Sequence, residues 1–259
     1  TLEIFSNVGG PNRTGFLNGS TFTFGSNGGG TIVFDKGNHL KQGGTNGRFV
    51  TTGGSQNTIT TNGGGFINPQ NTNTIIFDVA DGTDDVDLVV SVPANSGNLL
   101  KDGAGTVSYT NSSTLGGGGN LGLITINDGT FDIGGNAQLK TSGEVAGVLR
   151  ASIANNGVFS HSSTQAQTVS GEISGAGAVV MSGTNTLTVS GTNTYSGTTD
   201  VFAGNMLING DNSSALGNVT VANGATLGGI GTVGGVTVVN AGANLAPGAS
   251  IGELTINNN

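Results

Sequence analysis

The chain has 259 residues, 50 of them Gly, with four Pro, no Cys, no Trp and only 8% charged residues. Gly at that frequency without a G-X-Y period excludes collagen, and a low-charge chain rich in β-branched residues is not the usual disordered composition. The net charge is −8, and all seven basic residues (Arg13, Lys36, Lys41, Arg48, Lys101, Lys140, Arg150) lie in the first 150 positions, which argues against nucleic acid and anionic membranes as partners.

In chain order, the first elements are TLEIF, TGFLNGSTFTF and TIVF within 1–34, each alternating and each bounded by Gly or Asn. Phe5, Phe16, Phe22, Phe24 and Phe34 crowd this end, which reads as a thick core or as a cap over a first coil. FVTTGG and NTITTNGGGFI are strands in the Gly- and Asn-rich 35–73. In 74–94, Val86, Leu88, Val90 and Val92 alternate with Asp85, Asp87, Val89 and Ser91, a strand with one buried face closed by Pro93. VLRASI and GVFSHS are strands in 137–167. No stretch sustains apolar spacing of three and four, so helix is expected to be almost absent, and no apolar run approaches the roughly 18 residues of a membrane helix.

Two phrases recur. LKDGAGTV at Leu100 and VMSGTNTL at Val180 stand about 80 residues apart, which suggests about four turns of a solenoid with roughly 20 residues per coil. ITINDGTFDI (from Ile124), VTVANGATL (from Val219), VTVVNAGANL (from Val236) and LTINNN (from Leu254) form a second set. Its later starts, at Val219, Val236 and Leu254, are spaced at close to one coil period. At about 20 residues and about 4.8 Å per coil, the chain predicts roughly a dozen coils and a rod of roughly 60 Å. One continuous rod is expected, with 1–98 as N-terminal coils that include the aromatic cap and 99–259 as the repeat-bearing coils.

VVMSGTNTLTVSGTNTYSGTTDVFAGNMLIN (Val179 to Asn209) and NGATLGGIGTVGGVTVVNAGANLAPGASIGELTI (Asn223 to Ile256) together resemble the passenger-associated strand repeat of bacterial autotransporters. The strong match spans about 171–256 and a weaker copy about 99–135. The resemblance implies an all-β fold, a right-handed parallel β-helix or β-solenoid passenger domain, and a place outside the cell or on the bacterial surface. It carries no catalytic residue. The family's C-terminal membrane barrel has no counterpart in this sequence, and a start at Thr1 is that of a mature or excised chain.

The residues offer few sites for chemistry. Asp78, Asp81, Asp84, Asp85 and Asp87 form an acidic run that suggests a Ca²⁺ site, because that ion takes several hard oxygen ligands. The simplest reading of the same run is a solvated turn and the outward side of a strand. A sharper version is a Ca²⁺-dependent polysaccharide lyase, a class that shares the β-helix fold, with Lys101, Arg48 or Arg150 as the base. His39 and His161 are isolated and read as ordinary surface or turn residues, and no G-x-S-x-G elbow occurs. Asn193, Asn205, Asn209, Asn223 and Asn240 are expected at strand ends, bonding from coil to coil.

The favoured expectation is a non-catalytic extracellular rod, structural or adhesive, with no cofactor unless Ca²⁺ binds. Its expected partners are a host or matrix surface and, through pairing of its end strands, further copies of itself added head to tail into a filament. The competing expectation is a Ca²⁺-dependent polysaccharide-cleaving enzyme or a glycan-binding module on the same fold.

Overall fold

The computed structural model describes residues 2–4, 14–16, 21–25, 29–34, 39–41, 46–61, 65–68, 73–115, 122–248 and 252–257. No helix occurs among them, and the strands are short, with every pairing between named strands parallel. Parallel strands need a crossover between them. Here the crossover is itself two further short strands, so each coil contributes one strand to each of three faces. Leu88–Val90, the Ala94–Asn95 bridge, Asn98–Asp102 and then Thr106–Tyr109 show one such circuit. The architecture is a parallel β-helix, as the alternation and the repeat resemblance imply.

The first face is a single eleven-stranded sheet from Leu2–Ile4 to Thr237–Val239. Its register stacks Leu2, Ile32, Ile59, Val90, Tyr109, Ile133, His161, Met181, Val201, Val221 and Val239. The first three steps of this column take about 30 residues each, those between Val90 and His161 vary, and those from His161 to Val221 take about 20 residues each. The regular period read from the repeats therefore holds only from His161 onward. Ten steps at about 4.8 Å give an axial length of roughly 50 Å, shorter than a uniform coil predicts.

Register also corrects the repeat alignments. Val180 stacks on Ser160, Asp132 and Ser108, so its counterpart three coils earlier is Ser108 and not Leu100. Leu100 sits on the third face, opposite Ile76 and Thr125. Likewise Val219 pairs with Thr237, whereas the strand Thr255–Ile256 pairs with Thr232–Val233 on another face. The recurring phrase encodes a strand, a turn and a strand, and the chain uses it at more than one corner. The expected VLRASI strand is divided in the same way: Val148–Leu149 and Ser152–Asn155 flank a corner at Arg150 and Ala151.

The other two faces are each interrupted, and a side-chain amide continues the ladder at two of the breaks. On the second face, buried Gln167 accepts the Leu139 N–H through Oε1 at 2.8 Å, and its Nε2 donates to the carbonyls of Leu139, Gly147 and Thr168 at 3.0 Å each. On the third, buried Asn193 accepts the Ile173 N–H at 2.7 Å and donates to the Gly191 carbonyl and to Asn212 Oδ1. A planar amide offers the same donor and acceptor pair as a peptide group, so it can replace a missing strand residue. Asn193 was expected at a strand end bonding from coil to coil; it bonds from coil to coil but lies between the strands Thr186–Val189 and Thr199–Val201.

Inward residues form one continuous core. At the N-terminal end, Phe22, Phe49 and Phe77 stack at ring separations of 5.6 and 5.8 Å, and Tyr109 and Phe131 extend the column. Phe22, Phe24 and Phe34 thus belong to the core, while the side chains of Phe5 and Phe16 lie outside the described residues. The corner before the first face is a column of Gly105, Gly129, Gly157, Gly177, Gly197, Gly217 and Gly235, where a Cβ on each after Gly105 would fall on the carbonyl oxygen of the glycine beneath. That close approach, rather than flexibility, explains much of the glycine content.

Candidate functional site

The acidic run lies at the corner between the third and first faces. Asp78, the last residue but one of the strand Thr74–Val79, accepts Arg48 Nη1 at 2.7 Å. Asp84 Oδ2 accepts the Gln56 N–H at 2.6 Å, and Asp81 and Asp85 face solvent. Asp87, expected on the outward side of a strand, is instead 3% exposed. Its two carboxylate oxygens accept the N–H groups of Gly82 and Thr106, both at 2.7 Å. The reason is a turn over 83–85 that folds the chain back across Gly54, where the Thr83 N–H donates to the Gly54 carbonyl, and leaves two backbone donors that only a turned-in carboxylate satisfies. Among the described residues, no three His, Asp or Glu side chains converge as a metal would require.

Lys101 occupies an inward position between Phe77 and Ile126 and is 1% exposed. Its ammonium donates to the carbonyls of Asp102 (2.9 Å), Gly103 and Asp128 (3.2 Å). Burial lowers its pKa to about 8, against the pull of the carboxylates of Asp128, Asp102, Asp78 and Asp87. An amine so enclosed acts as an internal cation that ties two coils together. It is poorly placed to take a proton from a substrate.

His161 is also inside, correcting its reading as a surface or turn residue. It takes the inward position between Ile133 and Met181, with Nδ1 3.4 Å from Met181 Sδ and Nε2 buried without a hydrogen-bond partner among the described residues. Burial pushes its pKa below the ordinary histidine value, opposed by the charge of Asp132. Asp132, one residue before His161's register partner Ile133 and on the opposite side of the sheet, accepts Ser108 Oγ at 2.9 Å and Ser162 Oγ at 2.7 Å. Imidazole and carboxylate are separated by the strand, so serine, histidine and aspartate do not assemble a triad here. Of His39 only the backbone is described, in the strand His39–Lys41.

Among the described residues, the segment 142–147 departs from the smooth coil surface. The step from Ile133 to His161 is longer than the step from His161 to Met181 that follows, and the excess forms a projecting turn over 142–147. Thr141 Oγ1 closes its neck by accepting the N–H groups of Arg150 and Ala151 at 2.7 and 3.1 Å. Glu144 is held at its side chain by Arg150 Nη1 (3.0 Å) and at its carbonyl by Lys140 Nζ (3.3 Å). Sequence reasoning missed this feature because Gly and Ser mark every corner of the chain alike.

No family model and no solved structure matches the chain. A stretch of 104 residues, 40% of the chain, is 38% identical to the protein named Adhesin BmaC autotransporter of Brucella suis biovar 1 (strain 1330). The match spans only 3% of that relative's length. Over those 104 residues the chain is similar to that adhesin, and the parallel β-helix is the architecture that the strand repeat implies.

Proposed function

We propose that this chain is a rigid, non-catalytic segment of a bacterial surface adhesin, exposed outside the cell and contacting a host or matrix surface. The observation that carries the reading is the similarity, over 40% of a chain that folds as a parallel β-helix, to an autotransporter adhesin. It fits the outward positions, where Thr, Ser, Asn and Gly predominate and the hydrogen-bonding groups repeat at coil spacing. The test is adhesion of the purified, labelled chain to epithelial monolayers: saturable binding is expected. Absence of binding together with Ca²⁺-dependent release of oligosaccharides from a polysaccharide panel would replace this reading with the enzymatic one. Ca²⁺ coordination at the acidic corner would draw first on Asp81 and Asp85, because Asp78, Asp84 and Asp87 are committed to Arg48 and to backbone donors.

A further inference from the structure

Val145, at the tip of the projecting turn, is 71% exposed, the most of any large apolar side chain among the described residues. A single exposed valine is ordinary on a protein surface. What sets this one apart is its mounting. Most of the excess of this coil over the next is spent on the excursion, and hydrogen bonds fix nearly every part of it. Thr141 closes the neck, and the Glu144 N–H bonds the Thr141 carbonyl at 3.0 Å. The Val148 N–H bonds the Val145 carbonyl at 3.2 Å. The Gly147 carbonyl is anchored to the next coil by the Thr168 N–H and by Gln167 Nε2. Gly143 and Gly147, at φ of 90° and 75°, make the two bends that no other residue type makes cheaply. The result is a finger whose shape is set before any partner arrives, so that little conformational entropy remains to be lost on contact.

Its charge is equally distinctive. Lys140 and Arg150 flank the finger and are the only Lys or Arg residues after Lys101 in a chain of net charge −8. The Arg150 side chain is 56% exposed, and its bond to Glu144 leaves most of the N–H donors of the guanidinium open. An apolar tip on a cationic base calls for the complementary surface, a shallow apolar pocket with carboxylates at its rim, and protein surfaces combine those two features readily.

We propose that the 142–147 finger is the point through which this segment engages a protein partner presenting an apolar pocket edged by carboxylates. The proposal rests on the adhesive reading and names the contact within it. The experiment measures binding of purified chains to epithelial monolayers, untreated or stripped with trypsin, with circular dichroism to verify the fold of each variant. Wild type is expected to bind untreated cells and to lose binding on stripped cells. Val145→Asp is expected to weaken binding about tenfold or more, and Arg150→Ala to weaken it and to flatten its salt dependence. Leu216→Asp, at another exposed apolar site, is expected to bind as wild type does. Unchanged binding by folded Val145→Asp, or binding that survives trypsin, overturns the finger while leaving adhesion intact. If wild type binds no cells, the adhesive reading and the finger fall together.

Discussion

The two ends of the rod solve the same packing problem with different means. Between Leu2 and Val90 each coil takes about 30 residues, and the interior is filled by stacked Phe22, Phe49 and Phe77. From His161 to Val221 each coil takes about 20 residues, and inward positions of the first face hold Met181, Val201 and Val221. The long coils carry most of the buried rings, whereas the described core after His161 holds mainly Val, Leu, Ile and Met, with Tyr195 the one buried ring. Coil length and core side-chain size are therefore coupled. The glycine column fixes how closely coils approach at one corner through much of the rod.

Substitutions can break this comparison in order of expected effect. Phe77→Ala removes a central ring of the stack and is expected to cost about 4 kcal/mol in chemical denaturation. Gly197→Ala, whose new methyl would meet the backbone of Gly177, is expected to cost about 3 kcal/mol. Val201→Ala in a short coil is expected to cost about 2 kcal/mol, and a loss equal to that of Phe77→Ala would refute the coupling. Gly143→Ala in the finger, with no atom within 4 Å of its Cβ but a φ of 90°, is expected to cost about 1 kcal/mol.

The smallest effect is one of pH and belongs to the boundary between the regions, where His161 sits. Because its folded pKa is lowered, the unfolded chain takes up a proton below about pH 6.5 that the folded core resists. Its contribution is complete above that pH and is lost as the pH falls toward the folded pKa. The denaturation midpoint is expected to drop on acidification from about pH 7 to about pH 5, and His161→Leu is expected to reduce the drop. An unchanged slope in that variant would assign the acid sensitivity elsewhere.

Much of this architecture is legible in the amino-acid order. Strict alternation in LTV and VTV identifies strands with one buried side, and the C-terminal period identifies the coil, because there each coil closely repeats the pattern of its predecessor. The N-terminal circuits hide their period by varying its length. Phrase matching fails for a physical reason as well: a strand, a polar turn and a strand serve at corners of different orientation, so Leu100 and Val180 look equivalent while occupying different faces. Side chains that act across coils are the least legible. Lys101, Asp87, Gln167 and His161 look like surface residues until register places a carbonyl, an amide or a sulfur opposite them.

The direction of the hydrogen bonds has a mechanical consequence. Every ladder runs from one coil to the next, so the bonds lie along the rod axis, and a pull between its ends loads them in tension, one coil at a time. A coil that peels away gives up about 5 Å of rod and releases a length of chain set by its size, about 70 Å for a short C-terminal coil and about 100 Å for a long N-terminal one. Under flow, such a segment yields by lengthening in steps of unequal size, and the long N-terminal circuits store the most slack.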